Sequence, residues 1–487
     1  MGIYLNPNNE NFRRTLAARI YVDKTLMISR INDFIDEGNN YICVSRPRRF
    51  GKTIASEMLS AYYSKGCDSR AMFSGLEIGR SEEFGKNLNE LNVIKIDLNS
   101  EYNMELDKTQ LIRSMTKRIV REVAREFPEA GLSGDESLPL AILNVYEHDE
   151  NQQFVIIIDE YDVLIREQAD KIIFDEYLSL LNGLFKSATL RPAIALAYIT
   201  GILPVIRDRV QSKLNNFEEY TILEARELAE YIGFIDDEVK ELCDNHGMEY
   251  TEVKSWYDGY RQHGFEIYNP QSVVRSLTDK RCKSYWSMTS TYQVIAERLR
   301  DNFKGTRDAV IRMMAGESVD VNVDFFMNTM KDFDTLDDVF TYLIHIGYLA
   351  YNEEDETCRI PNREIWREWE YAVSVVDEYE TTDKIISASK ELLQATFDGD
   401  EEAVAKALDE SHIHVTSNRS YNNEDALQSA IYLAYLYAIN KYTIIREATS
   451  GKGFADVVYV PLKPTEPAMI IELKRNDCAD SAINQIK

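Results

Sequence analysis

The sequence predicts an α/β protein built on a doubly wound parallel sheet, followed by a mainly helical middle region and a further α/β domain at the C-terminal end. Three observations predict the sheet. The apolar run at 41–44 (YICV) leads within a few residues into Gly51, Lys52 and Thr53. A second run, 155–158 (VIII), ends in Asp159 and Glu160. Two more support it: 193–199 (AIALAYI) is apolar throughout but for the Tyr198 hydroxyl, and 92–98 (NVIKIDL) sets Val93, Ile94, Ile96 and Leu98 around Lys95 and Asp97. Runs without the alternation of a half-exposed strand belong to parallel strands covered by helices on both faces.

Between the first two motifs the helix is legible as well. In 105–127 (ELDKTQLIRSMTKRIVREVAREF), Leu111, Met115 and Ile119, with Ile112 and Val123 beside them, form one apolar stripe of helical period.

The first strand leads into a phosphate-binding loop. A strand must stop abruptly for the backbone to curl, and Gly51 lets main-chain N–H groups approach phosphate oxygens. Lys52 places an ammonium on the outer phosphates, Thr53 offers a hydroxyl to Mg²⁺, and the helix opening after it adds its N-terminal dipole. The first glycine of G-x-x-x-x-G-K-[ST] falls at Arg46, so the strict pattern fails at its first letter. The run 154–162 (FVIIIDEYD) supplies the complementary element: Asp159 for Mg²⁺ through water, and Glu160 to polarise the water that attacks the γ-phosphate. Thr200, at the end of the 193–199 run, either senses the γ-phosphate or caps the strand.

The stretches YVDKT (21–25), SRPRRFGKT (45–53), IIIDEYD (156–162), YITGI (198–202), WYDGY (256–260), YNP (268–270) and YW (285–286) follow in that order. Together they resemble the AAA-ATPase-like family of prokaryotic proteins, whose members usually carry a PD-(D/E)XK nuclease-like domain at the C-terminus. The resemblance implies a P-loop ATPase using ATP and Mg²⁺, and it makes Arg46 part of the signature. The nucleotide-binding set it implies is Arg46, Arg49, Gly51, Lys52, Thr53, Asp159 and Thr200. Arg207 and Arg209 are candidates for an arginine that completes the site in trans, with salt-bridged surface positions as the plainer reading.

The C-terminal end is readable on its own residues. In 454–473 (FADVVYVPLKPTEPAMIIEL) two β-forming runs flank a proline-bearing turn, a hairpin pattern. Folded about Pro464, it sets Asp456 opposite Glu472, and the two-residue period puts Lys474 on the same face as Glu472. Two carboxylates and an ammonium at one spot suit Mg²⁺ or Mn²⁺ and an activated water for phosphodiester attack; an E-x-K at a strand end is otherwise a solvated charge pair. By position in the family, Glu424 is a further metal carboxylate, Gln485 a trailing glutamine, and Glu447 a second candidate. The chain stops at Lys487, just after the helix of Gln485 begins, so this domain is expected to be incomplete.

The expected domains are therefore 1–215 (ATPase), 216–385 (helical) and 386–487 (nuclease-like). A winged-helix-like module near 335–372 is one reading of the middle region, but its acidic tip (Glu353, Glu354, Asp355, Glu356) would repel a phosphate backbone, which favours a small packing module. Tyr257 and Tyr260 read as core.

Composition bounds the rest. The chain has 487 residues, 44% of them hydrophobic, which excludes wholesale disorder, and carries a net charge of −27. Bulk charge of that sign repels nucleic acid, so DNA or RNA contact requires a local patch such as Arg46, Arg48, Arg49 and Lys52, or ions in the carboxylate site. The six cysteines show no C-x-x-C spacing, as for reduced thiols in a cytoplasm. The apolar run 193–206 is too short to span a bilayer and is broken by Gly201 and Pro204. The sequence thus points to a cytoplasmic, non-membrane protein, with a homo-oligomer among its possible assemblies. Two functions stand: an ATPase that gates a metal-dependent nuclease, or a nucleotide-dependent switch that recruits a partner and keeps a vestigial nuclease domain.

Overall fold

The computed structural model describes residues 2–472 apart from 168, 205–206, 209–210, 213–215, 287–292, 301–302, 325, 327–332, 377–379, 416–430, 432–433, 451–452 and 463–464; for 207–208, 211–212, 380–385, 409–415, 439–440, 445–450 and 453–456 it describes the backbone alone. The chain folds as two compact units. The first is drawn from residues 1–253, 257–281 and 321–356, the second from 254–256, 282–320 and 357–487.

The first unit is organised by five parallel strands: β1 (Tyr41–Ser45), β2 (Asn92–Asp97), β3 (Phe154–Asp159), β4 (Ile194–Gly201) and β5 (Glu218–Tyr220), in the order β2-β3-β4-β1-β5. β1, β3 and β4 are buried along their whole length, as expected for strands covered on both faces. The apolar stripe read from the sequence lies on helix α2 (Leu111–Glu126), and its five residues are all buried. With α3 (Leu138–His148) and α4 (Lys171–Phe185), α2 covers one face of the sheet, over Ile94, Ile96, Ile156, Ile158 and Ile199. Helix α1 (Lys52–Tyr63) packs on β2, β3 and β4.

Register decides what meets at the carboxyl edge. Asp97, Asp159 and Thr200 are lateral neighbours across β2, β3 and β4, and Val44 and Ser45 of β1 sit beside Thr200 and Gly201. Because β1 adjoins β4 and not β2, the strand order reverses beside the loop that follows β1, which is where an open α/β sheet presents a ligand crevice.

Beyond β5 the same unit continues through α5 (Asp236–His246), the antiparallel pair β6 (Tyr260–Gln262) and β7 (Phe265–Tyr268), and α6 (Pro270–Asp279). A two-residue strand, Phe234–Ile235, adds to β7. Tyr257 and Tyr260 are buried, as their sequence reading holds. Asn269 starts α6: its Oδ1 accepts from the backbone N–H groups of Gln271 and Ser272, and Pro270 needs no acceptor there.

The second unit contains α7 (Gln293–Arg300), α8 (Thr306–Met314), α9 (Arg363–Ser374), α10 (Glu380–Asp398) and α11 (Glu401–Val415), then the antiparallel strands β8 (Tyr442–Ser450), β9 (Gly453–Pro461) and β10 (Met469–Ile471). Two buried carboxylates on α9 hold the YW segment: Glu364 accepts from the backbone N–H groups of Tyr285 and Trp286, and Glu368 from the Ser284 hydroxyl. Leu392 and Leu393 of α10 pack with Val457 and Tyr459 of β9.

Candidate functional site

The segment after β1 builds the site. Two of its residues, Arg49 at φ 71° and Gly51 at φ 95°, have left-handed backbone, and the turn they make delivers the chain into α1. Gly51 is the N-cap of α1 and offers no side-chain acceptor, so the first-turn N–H groups, which have no intrahelical partner, remain for an anion. Phe50 anchors the turn. It is fully buried, packs edge-on against Tyr260 with ring centroids 5.5 Å apart, and lies against Gly233.

Lys52 folds over the loop. Its Nζ donates to the carbonyls of Arg46 and Pro47, 2.9 Å each. Burial pulls its ammonium below the ordinary lysine range, and the carboxylates of Glu160, Asp162 and Asp159 oppose that pull. Arg46 lies outside the cavity described below. Its Nη1 donates to Ser45 O at 2.9 Å and Tyr220 O at 2.7 Å, tying the start of the loop to the end of β5. Complete burial pulls this guanidinium down to about 9, and its Nε and Nη2 meet no acceptor among the described residues.

Asp159 and Thr53 come together at the edge of the sheet, near enough for the Thr53 side chain to stabilise the carboxylate, with Ser56 Oγ 3.4 Å away. Burial pushes Asp159 up to about 6 from an ordinary 3.8. The raised value means that the fold favours the neutral carboxyl; that contribution to stability is complete below about 3.8 and is lost as pH rises through about 6. At neutral pH the site therefore holds a buried negative charge that a cation would compensate. No group of three or more His, Cys, Asp or Glu side chains able to hold a metal is present among the described residues. One carboxylate and one hydroxyl fit Mg²⁺ that arrives bound to phosphate oxygens and water, the usual habit of this ion.

Glu160 follows at φ 54°, a left-handed conformation that non-glycine residues hold mostly where the surroundings impose it. Its carboxylate is paired with Arg166, which closes the short helical turn Val163–Arg166. Thr200 is fully buried, and its hydroxyl donates to Val44 O at 2.9 Å. Of its two sequence readings, this bond matches the strand cap.

The second aspartate of DEYD does work that the sequence does not reveal. Asp162 is fully buried, and its Oδ2 accepts from the N–H groups of Ile202 (3.0 Å) and Leu203 (2.9 Å). Tyr161 N–H donates to Thr200 O and its hydroxyl to Leu203 O. Two motifs forty residues apart are thus one clamp across β3 and β4. Gly201 is required by it, since a Cβ there would stand 2.6 Å from Asp162 Oδ1 and 2.8 Å from Tyr161 Cδ1. Gly201→Ala is expected to cost about 2–3 kcal/mol, read as a lower denaturation midpoint with an unchanged slope in urea.

The loop opens onto a cavity of about 550 Å³, within the range of small-molecule sites. Arg49, Gly51, Lys52, Thr53 and Glu160 line it. So do Tyr21, Val22 and Lys24 from the N-terminal segment, Tyr231, Gly233 and Phe234 from the chain before α5, and Gln271, Val274 and Arg275 of α6. The YVDKT segment is held in place by its own polar groups. Asp23 accepts from Glu77 N–H, Thr25 Oγ1 from Ile78 N–H, and Lys24 Nζ reaches Glu230 O and Glu238 Oε1. Burial pulls Lys24 below its ordinary range, partly offset by Glu238. The sequence signals for these walls are the motifs YVDKT and YNP; neither has a spacing that indicates a cavity.

At the other end of the chain, β9 and β10 pair with Val457 opposite Ile471 and Tyr459 opposite Met469. The pairing ends at Val457 and Ile471, one residue short of positions 456 and 472. The side chain of Asp456 and residues Glu424, Lys474 and Gln485 lie outside the described residues, as do Arg209 and the side chains of Arg207 and Glu447. No helix among the described residues is long and apolar enough to cross a membrane.

The chain is 22% identical over 320 residues to an "Uncharacterized protein in vnfD 5'region" of Azotobacter chroococcum mcd 1, an alignment that covers 61% of this chain and 56% of that protein. It thus spans little more than half the length of this relative. Residues 10–211, which contain the phosphate-loop segment, Asp159, Glu160 and the Asp162 clamp, match the family model described as "Predicted AAA-ATPase".

Proposed function

We propose that the first unit binds MgATP in the cavity between the post-β1 loop and α6, and hydrolyses it. The observation that carries this reading is the convergence of Gly51, Lys52, Thr53 and Glu160 on one cavity wall, with Asp159 beside Thr53. In this reading the α1 N-terminus and Lys52 take the outer phosphates, Thr53 and Asp159 take the Mg²⁺ that comes with the nucleotide, and Glu160 accepts the proton of the attacking water. Supporting it is the family match over residues 10–211. Titration of the purified chain with ATP in the presence and absence of Mg²⁺, together with phosphate release, tests it; no saturable binding would end the proposal.

The role of hydrolysis is a separate matter. A gated nuclease is supported by the β9–β10 pairing, which ends at Val457 opposite Ile471; continued by one residue, that register would set Asp456 across from Glu472, as a D…E-x-K centre with Lys474 requires. Asp456→Ala and Lys474→Ala are each expected to remove Mg²⁺- or Mn²⁺-dependent cleavage of DNA or RNA while ATP hydrolysis stays unchanged, because the two sites share no ligands. Cleavage that survives both substitutions leaves the other reading, a slow nucleotide switch for a partner. The Glu160–Arg166 pair favours slow turnover, since it ties up the carboxylate that must act as base.

A further inference from the structure

We propose that Arg166 is a γ-phosphate-responsive restraint on Glu160: its guanidinium holds the Glu160 carboxylate while no γ-phosphate is present, and transfers to the γ-phosphate when ATP binds, freeing the carboxylate for the attacking water. The inference rests on the ATPase reading above and adds its regulation.

The geometry has three parts. First, Arg166 and Glu160 form an ion pair whose side chains are only 12% and 23% exposed, so the contact is largely shielded from water and its charges are weakly screened. A carboxylate oxygen occupied by a guanidinium cannot orient a water with the same lone pairs. Second, Arg166 is held incompletely. Its Nε faces Asp162 Oδ2 at 3.3 Å as an ion pair, yet without the alignment of a hydrogen bond, so a buried donor stays unused. Third, Asp162 holds a place of its own on the far side: its Oδ2 keeps the N–H groups of Ile202 and Leu203 when the guanidinium moves, while its buried Oδ1, which has no hydrogen-bond partner among the described residues, retains a pull on the cation that limits how far it travels.

The competing acceptor is strong enough. A γ-phosphate carries more negative charge than a carboxylate and matches the planar guanidinium fork in two parallel bonds. Arg166 stands one residue back from the phosphate site: it does not line the cavity itself but is paired with Glu160, which lines it together with Lys52, the residue expected on the β- and γ-phosphates. ADP has no γ-phosphate, so the restraint persists in the product state. Arg166 is thus a positioning residue that makes the general base available only when the bond to be broken is present.

The test is a double-substitution cycle on nucleotide affinity, comparing MgADP with the magnesium complex of a non-hydrolysable β,γ-imido ATP analogue in the wild type, Glu160→Gln, Arg166→Ala, Arg166→Lys and the Glu160→Gln/Arg166→Ala double variant. Glu160→Gln removes the carboxylate charge that competes for Arg166, so the triphosphate should bind about fivefold more tightly while ADP changes less than about twofold. Arg166→Ala should weaken the triphosphate about tenfold with ADP again within about twofold, Arg166→Lys should retain part of the triphosphate preference, and the double variant should show none of the Glu160→Gln gain. Equal effects on both nucleotides, or effects on thermal stability alone, would make Arg166 a structural staple and overturn the proposal. Should Arg166→Ala not fold, Arg166→Lys and Glu160→Gln still decide it. Absence of any Lys52-dependent nucleotide binding in the wild type would instead overturn the ATPase reading, and this one with it.

Discussion

Lys52→Ala is expected to lower ATP affinity by at least about 100-fold, the loss of one or two charge-assisted hydrogen bonds to phosphate at about 1.5–3 kcal/mol each. The fold should survive. Lys52 sits in a buried place where desolvation already works against its charge, and among the described residues its hydrogen bonds run to loop carbonyls, those of Arg46 and Pro47. Removing the side chain therefore relieves one unfavourable burial while it deletes two bonds, and the net change in unfolding free energy should stay within about 1 kcal/mol. Arg49 and Arg275 line the same cavity, so some residual binding is expected, with lower selectivity for triphosphate. Calorimetric titration of ATP beside a thermal melt gives both quantities. A folded variant with undiminished affinity would show that the loop after β1 does not hold phosphate.

Much of the sheet was legible because parallel strands buried on both faces write themselves as short apolar blocks. The 92–98 block becomes β2, ending one residue earlier because Asp97 accepts from Ser100 N–H and caps the next helix. Gly51, Lys52 and Thr53 were legible for a local reason: a phosphate loop draws its chemistry from contiguous residues. The clamp was not. Asp162 meets Ile202 and Leu203 only after β3 and β4 align, and nothing in either segment's own pattern signals the pairing. The cavity walls pose the same difficulty on a larger scale, with Phe234 lying 213 residues after Tyr21 and Val274 another 40 beyond it. Arg46 shows the opposite limit. Its place in the motif suggested a phosphate ligand, whereas its guanidinium braces the loop from beneath, on Tyr220 O. Motif membership identifies residues that matter to a loop without saying whether they touch the ligand or hold the loop's shape.

Glu160→Gln is expected to keep ATP bound and to slow its hydrolysis by about 10²–10⁴-fold, the usual contribution of a positioned general base. The amide has the same size and can still accept a hydrogen bond from water, but it cannot take the proton. Two features of the site argue that binding will be retained. The residue lies beside the phosphate loop on the wall of the cavity and not within the loop, and Asp159, the metal-facing neighbour, keeps its Thr53 contact. The left-handed backbone at Glu160 is no harder for glutamine than for glutamate, since neither is glycine and both carry the same branching at Cβ. The substitution does remove the Arg166 ion pair, so a modest fall in melting temperature in the nucleotide-free state is expected, and bound ATP should restore it by mass action. Single-turnover measurement of phosphate release, with affinity measured in parallel, separates the two effects. Loss of binding and turnover in the same proportion would place Glu160 among the groups that hold the nucleotide or its metal, and the proton acceptor would then have to be sought elsewhere on the cavity wall.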